Sequence, residues 1–277
     1  KGLPKVGRLK EKRLPRMDSC GCTSPGVNPN DPAWQKNKDF PSNKAKEWNG
    51  RTLFQDYWWM QQHSIRSGLQ DLHAAIRAVY GRHEVSKWEA GILKTAWTLH
   101  SELVRSMLKN YKGVLLPFLQ ERINFSGKRS PDMVDGVVQT LDGVNVHIKS
   151  IESTKVTFQT LKSLFEAFEK HRNDLVQFLE DADEMDLPLM RAFFTPTEAT
   201  VVVQQLLGTM ADIEVGSLLF YADEDGVSQF MQDASISWFT WFFSMKKKRD
   251  VFEINFVQPL AFVTRGVPLS TCGCNIW

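Results

Sequence analysis

Apolar residues recur every three to four positions over long parts of this chain, a spacing typical of amphipathic helices. A first helix is predicted over residues 52–79, with its apolar stripe at Ile65, Leu69, Leu72, Ile76 and Val79. A second is predicted over residues 87–122, where the stripe runs through Leu93, His100, Val104, Met107, Tyr111, Val114 and Phe118. The segment Ser-Gly-Lys-Arg-Ser-Pro at residues 126–131 then predicts a clear break.

The pattern after this break predicts a third helix over residues 131–171, with His147 and Ile151 on one face, and a fourth over residues 172–193. It also predicts a fifth helix that reaches residue 221 and a last helical region over residues 228–264. The start of the fifth is the best defined. Thr195-Pro196-Thr197-Glu198 fits a capping box with proline at the first helical position.

These helical periods, and the absence of an alternating strand pattern, predict an all-α protein. Long helices joined by short connections predict an up-down-up-down four-helix bundle, followed by additional C-terminal helices. The chain is therefore divided into an extended basic arm over residues 1–50, a helical bundle over residues 51–221, and an aromatic helix and tail over residues 222–277. Its 277 residues are enough to bury a full core.

Composition and charge change this picture only near the start of the chain. Hydrophobic residues at 42%, charged residues at 24% and a net charge of +2 are ordinary and indicate no particular partner. Residues 1–50 contain six prolines, and their first sixteen residues carry seven Lys or Arg against one Glu. Such an arm is typical of a solvated segment or of contact with an acidic partner or an anionic membrane surface. Aromatic residues do not interleave with its basic ones before Trp34, so we expect no nucleic-acid partner.

No apolar run reaches the roughly 18–20 residues that a transmembrane helix needs, so we expect an intracellular protein that does not span a membrane. The longest run, residues 236–245, stops at three Lys and one Arg, which is typical of a buried helix or an interfacial segment. Because the chain begins at Lys1 rather than Met, we expect that an upstream segment is missing from this sequence. A plastid or mitochondrial location after removal of a transit peptide stays open.

The four cysteines form two Cys-Gly-Cys pairs, Cys20 with Cys22 and Cys272 with Cys274. They would make a thiolate metal site or a disulfide link if the two ends of the chain met. The spacing differs from the usual Cys-x-x-Cys, and reduced surface thiols are the interpretation that it favours.

Three segments resemble hemerythrin-like (HHE cation-binding) domains: residues 61–69 (QQHSIRSGL), residues 114–119 (VLLPFL) and residues 183–198 (DEMDLPLMRAFFTPTE). The exit from the last segment, continuing through residues 204–208, is similar to the hemerythrin repeats of plant iron-responsive ubiquitin ligases. The resemblance covers residues 52–220. It implies a four-helix bundle in which histidines and carboxylates on the inward faces hold a di-iron or related centre.

Carried over residue by residue, the resemblance keeps His147 and Asp183 as ligands and replaces the others by Gln62, Met107, Tyr111, Ile151 and Phe178. His63 is one residue away from the first-helix ligand position, and the helical period turns it away from the core. His100 lies on the core stripe two turns before Met107, where a single histidine is usually a hydrogen-bonded core residue. A vestigial metal site at His147, Asp183, His63 and His100 is thus implied. Because so few ligands remain, we expect no cofactor, with bound iron as the alternative.

Large apolar side chains are abundant, with nine Trp and eighteen Phe. In residues 236–245 they surround the helix almost completely, and a helix that is apolar all round is buried by its own domain, a partner or a membrane interface. The candidate partner-binding residues are Trp238, Phe239, Trp241, Phe242 and Phe243.

The chain has no Gly-rich phosphate loop and no Gly-x-Ser-x-Gly motif, and we do not expect an enzyme. The leading hypothesis is a non-catalytic hemerythrin-like scaffold or accessory subunit. It would bind the subunits of a larger protein complex through its arm and its aromatic helix, with contact to a membrane surface as a further possibility. The alternatives are an iron- or oxygen-responsive metal-binding sensor with a reduced ligand set, and a thiolate metal site at the four cysteines.

Overall fold

A computed structural model describes residues 27–48, 51, 56–125, 127–153 and 156–268, and all structural statements refer to this part of the chain. The described residues are helical except for connections and one isolated antiparallel bridge between Gln35 and Ile123. The all-α prediction is confirmed.

The first two long helices are α1, Tyr57–Arg82, and α2, Lys87–Asn110. Helix α2 begins with a capping box between Ser86 and Glu89, and it continues through a π-helical turn, Tyr111–Leu115, into α3, Leu116–Gln120. The predicted apolar stripes of both helices are largely buried. The helical period therefore found the correct faces.

The boundary between the next two long helices differs from the predicted one. Helix α4 is Asp132–Ser153, and α5 is Phe158–Asp181. A π-helical turn, Ala182–Asp186, extends α5 into α6, Leu187–Phe193. The predicted third helix, which ran to residue 171, crosses this boundary and is wrong there. Thr157 starts α5, because its side-chain hydroxyl accepts a hydrogen bond from the backbone N–H of Thr160. Apolar residues continue on both sides of the break, so periodicity alone does not show it.

Helices α1, α2, α4 and α5 pack in a ring, in which α1 contacts α2 and α5, and α4 contacts the same two helices. Contacts along the α2–α4 pair show its direction. Trp97 donates to Asn145 over 2.6 Å, whereas Lys112, further along the chain, pairs with the earlier Asp135 over 3.2 Å. Helices α2 and α4 therefore run antiparallel, and they share an apolar core.

The rest of the chain forms shorter helices: α7 is Pro196–Leu207, α8 is Asp212–Tyr221, α9 is Glu224–Asp233, α10 is Trp238–Thr240, α11 is Lys246–Phe252 and α12 is Gln258–Arg265. The capping box of α7 at Thr195 and Glu198 is confirmed. The single helices predicted up to residue 221 and over residues 228–264 are each interrupted, the second by Ser235 with a φ of 53°.

The C-terminal helices belong to the same core as the ring. Helices α8 and α12 pack on α1, and α11 packs on α8. Phe252 and Phe256 are fully buried in the core that the ring helices share. At the α8–α11 crossing, a Cβ on Gly216 would lie 3.0 Å from Cβ of Phe252 and even closer to the backbone carbonyl oxygen of Lys248. Glycine is therefore what allows this close approach.

The described part of the N-terminal arm is also attached to the helices, through short 3-10 helices at Pro32–Trp34 and Lys44–Trp48. Trp34 and Trp48 are buried, and Nε1 of Trp48 donates to the carbonyl oxygen of Phe194 over 2.8 Å. Residues 27–48 of the predicted extended arm therefore pack on the helices, and their tryptophans contribute to the core. The basic residues 1–16 lie outside the described residues.

Three of the π-helical turns have a common cause. Those at Tyr111–Leu115, Ala182–Asp186 and Glu253–Val257 each precede a helix with proline in its first two positions. Proline has no N–H to donate, and its ring clashes with the carbonyl group four residues earlier, so a wider turn relieves the conflict. A fourth π-helical turn, Trp241–Met245, leads into α11, which has no such proline.

Candidate functional site

The described residues contain no group of three or more His, Cys, Asp and Glu side chains arranged to hold a metal ion. His63, His100, His147 and Asp183 all lie in this part of the chain, so they are not assembled into a common centre. The thiolate candidates Cys20, Cys22, Cys272 and Cys274 lie outside the described residues.

His147 is half-buried on α4, beside the stripe formed by Leu141, Val144 and Ile148. Its neighbour Asn145 faces Trp97, whereas the Tyr111 end of α2 faces Asp135. About twelve residues of α4 separate His147 from Asp135, which is roughly 18 Å along a helix. The structure therefore separates His147 from the level of Tyr111 on α2.

Asp183 and His63 have contacts of their own. A carboxylate oxygen of Asp183 pairs with the Arg66 guanidinium at 2.6 Å, and burial raises the pKa of Asp183 while Arg66 opposes that shift. The ring of His63 stacks on Trp59, with centroids 4.7 Å apart, and burial lowers its pKa. Arg66, which follows Ile65 on α1, is thus the ion-pair partner of Asp183.

A guanidinium group lies against the rings of Tyr111 and Phe178. The rings of Tyr111 and Phe178 lie 5.1 Å apart edge to face, and the guanidinium carbon of Arg129 is 6.0 and 5.7 Å from their centroids. Nε of Arg129 donates to Oδ1 of Asp186 over 3.0 Å, and each of these two residues is no more than 3% exposed. A fixed positive charge at this end of the ring opposes the binding of a second cation there.

Arg129 and Asp186 form an ion pair that is almost completely buried. Burial raises the pKa of Asp186 to about 6, and Arg129 opposes that shift. The same surroundings raise the pKa of the Tyr111 hydroxyl above its ordinary value. Sequence reasoning missed both partners. Arg129 stands in a basic turn, and Asp186 ends an acidic run, and both patterns usually indicate solvated residues.

A second polar layer lies deeper in the ring, where His100 of α2 and His171 of α5 are both fully buried. Nδ1 of His171 lies 3.2 Å from Oγ1 of Thr140, with the donor set by the tautomer of the ring. Both ring nitrogens of His100 and Nε2 of His171 have no hydrogen-bond partner among the described residues. Trp97 packs against both rings, at 5.9 and 5.5 Å between centroids.

Burial lowers the pKa of His100 to about 3 and that of His171 to about 4, so both imidazoles are neutral at pH 7. Sequence reasoning found His100 and missed His171, because the predicted helix boundary fell on that residue. The available signal was its spacing from Leu164, Phe168 and Leu175, which form one buried stripe with it.

The aromatic segment is only partly buried by the chain itself. Phe239 and Phe243 are each 67% exposed and stack on each other with centroids 5.8 Å apart. Trp241 is half-buried and packs against the core. The side chains of Trp238 and Phe242 lie outside the description. Two of the five predicted partner-binding residues therefore form an exposed aromatic patch, which we define as Phe239 and Phe243.

Basic residues begin three positions after Phe243, the second residue of the exposed aromatic patch. Lys246 and Lys247 are exposed, whereas Lys248 is half-buried and pairs with Asp212 of α8 over 2.9 Å. No described helix has the length and apolar character to cross a membrane. The patch and its lysines thus lie on a helix that the core holds from its other side.

Comparison of the chain with models of known protein families, with curated proteins and with solved structures found no match.

Proposed function

We propose that α1, α2, α4 and α5 form a hemerythrin-like up-down-up-down bundle that serves as a non-catalytic scaffold. Support comes from the ring packing, the antiparallel contacts and the Leu-Pro segments that follow two π-helical turns. The ion pair of Arg129 and Asp186, lying against Tyr111 and Phe178, takes the space in which the family would hold metal. In this proposal a charged side-chain pair replaces the metal inside the bundle.

The scaffold acts as an accessory subunit that docks through the exposed aromatic patch. The observation that carries this proposal is the 67% exposure of both Phe239 and Phe243, on a segment whose other side is anchored in the core. Exposed apolar patches of this kind commonly mark interaction sites. The nearby π-helical turn without proline is a further support, because such turns are frequent at functional sites. Residues 27–48 are already packed, so any docking role of the arm falls to its earlier residues.

The test is site-specific photo-crosslinking in cells that produce the full chain. A photoreactive amino acid replaces Phe239 or Phe243, and the matched control replaces Val146, which is 66% exposed on α4. We expect a defined adduct from positions 239 and 243 and none from position 146. Equal adducts at all three positions, or neither a protein nor a lipid adduct at positions 239 and 243, would contradict the docking role.

A metal-responsive sensor is the second candidate, and one observation favours it. His100 and His171 place three ring nitrogens that have no hydrogen-bond partner among the described residues in the buried centre of the ring. Neutral imidazole is a common ligand of transition metals. Metal analysis of the native protein tests this candidate: near one equivalent per chain, lost on His171→Ala and retained on His147→Ala, would support it. A metal content that is unchanged in His171→Ala would contradict it.

A further inference from the structure

We infer that the exposed aromatic patch and the lysines that follow it bind an anionic lipid surface. This inference rests on the proposed docking role and names the partner of the same surface. It commits to lipid headgroups and acyl chains, rather than to another protein chain.

The burial pattern places the relevant side chains on one face. The exposed positions of this helix include Phe239, Phe243, Lys246 and Lys247, with Asp250 one turn later, and the core lies against the opposite side through Phe252. The exposed face is therefore aromatic in its first turns and cationic in the next. Aromatic side chains beside lysines are the composition of helices that lie in a membrane interface.

Charge complementarity favours lipid over protein. Residues 246–249 are all basic, and the side chains of Lys246 and Lys247 are exposed. Protein–protein interfaces are depleted in lysine, whereas anionic headgroups attract it. Long lysine side chains also reach headgroups while a neighbouring apolar group enters the acyl region.

The segment that carries the exposed aromatic patch is already folded and packed on the rest of the chain. The helix that follows the patch packs against α8 at Gly216, where the two helix backbones approach closely. Because Phe252 is already buried there, docking does not require the segment to fold first. The described helices contain no membrane span, so the contact would be peripheral.

The experiment is co-sedimentation of the full chain with phosphatidylcholine vesicles and with vesicles of phosphatidylcholine and phosphatidylserine. We expect stronger binding to the mixed vesicles, weakened by salt. Phe239→Ser together with Phe243→Ser should lower the partition coefficient by about a hundredfold, from about tenfold for each phenyl ring that no longer enters the interface. Lys246→Gln with Lys247→Gln should remove most of the preference for phosphatidylserine. Val146→Ser is the matched control and should bind like the unaltered chain.

The inference is overturned if the unaltered chain fails to bind the mixed vesicles, or if the double Phe variant binds them as well as the unaltered chain does. It is also overturned if light scattering shows a dimer that the double Phe variant abolishes, because a second copy then covers the patch. A protein adduct from position 239 without vesicle binding contradicts the lipid inference and leaves the docking role standing. The absence of both an adduct and vesicle binding contradicts the docking role as well.

Discussion

The ring interior and the aromatic segment depart from the usual inside–outside distribution in opposite directions. The ring buries an ion pair at Arg129 and Asp186 and an imidazole pair at His100 and His171. The aromatic segment leaves Phe239 and Phe243 two-thirds exposed. An exposed phenyl ring gives up no hydration when the chain folds. A buried polar group does give up its hydration, and it needs hydrogen-bond or ion-pair partners to offset that cost.

This difference separates a structural role from an interaction role. In the ring, Arg129 has a carboxylate partner and aromatic faces, so its charge is compensated where it lies. In the aromatic segment, the phenyl rings contact each other and add little to the core. Substitutions in the ring should therefore change stability, and substitutions in the exposed aromatic patch should change binding.

The largest expected effect is that of Arg129→Met, which leaves Asp186 buried without its cation. Loss of one partner of a buried ion pair lowers the free energy of unfolding by about 4 kcal/mol. Urea denaturation at neutral pH measures this loss. The double variant Arg129→Met with Asp186→Leu should recover most of it.

The pH dependence of the stability loss in Arg129→Met shows whether the unpaired charge of Asp186 causes that loss. Burial raises the pKa of Asp186, and removing Arg129 removes the charge that opposes this shift. The folded variant therefore takes up a proton more readily than the unfolded chain does, and its deficit should shrink as the pH is lowered. A deficit that does not depend on pH would show that packing, rather than charge, is lost.

A somewhat smaller effect is expected for Gly216→Ala at the α8–α11 crossing. The new methyl group would clash with backbone atoms of Lys248, and overpacking of this kind lowers stability by about 3 kcal/mol. We also expect faster tryptic cleavage after Lys246 and Lys247, because α11 is pushed from its place. Gly143→Ala is the control, since a Cβ there meets no atom within 4 Å. Equal effects at both glycines would contradict the close packing.

Acid should destabilise the chain through the imidazole layer. The pKa of His100 and of His171 is about 3 and about 4 in the folded chain, below the ordinary value of 6.5. Below pH 6.5 the unfolded chain therefore binds protons that the folded chain does not. The free energy of unfolding should fall by roughly 1.4 kcal/mol per pH unit for each histidine, and stay constant above that pH. Denaturation midpoints measured from pH 7 to pH 4 test this window.

Asp186 works in the opposite direction, because its pKa is raised from 3.8 to about 6, so it offsets part of the loss within that range. His100→Leu should remove one of the two histidine contributions with little loss at pH 7, since neither of its ring nitrogens has a hydrogen-bond partner among the described residues. An unchanged acid slope in His100→Leu would show that other groups cause the acid sensitivity.

The smallest effect on stability is expected for Phe239→Ser, within about 0.5 kcal/mol, because the side chain is mostly exposed. Phe252→Ala, one of the fully buried positions, should instead lower stability by about 4 kcal/mol. Thermal unfolding of both variants gives the comparison. A large loss for Phe239→Ser would mean that the patch belongs to the core and would break the contrast between the two regions.

Much of the secondary structure follows from local pattern. The stripe at Ile65, Leu69 and Leu72 is buried as expected, and the Thr195 cap begins α7 where the capping box places it. The break before Thr157 was missed because apolar spacing continues across it. The hemerythrin-like assignment, the docking role and the expectation about cofactors stay predictions.

The sequence by itself determined the all-helical class, the buried faces of α1 and α2, and the unusual aromatic segment. These features depend on neighbours within one or two helical turns, which local spacing records. Only the tertiary structure decided that Arg129 pairs with Asp186, that His171 joins His100, and that Phe239 and Phe243 stay exposed. Partners 57 residues apart, such as Arg129 and Asp186, come together through helix packing, which no local pattern encodes.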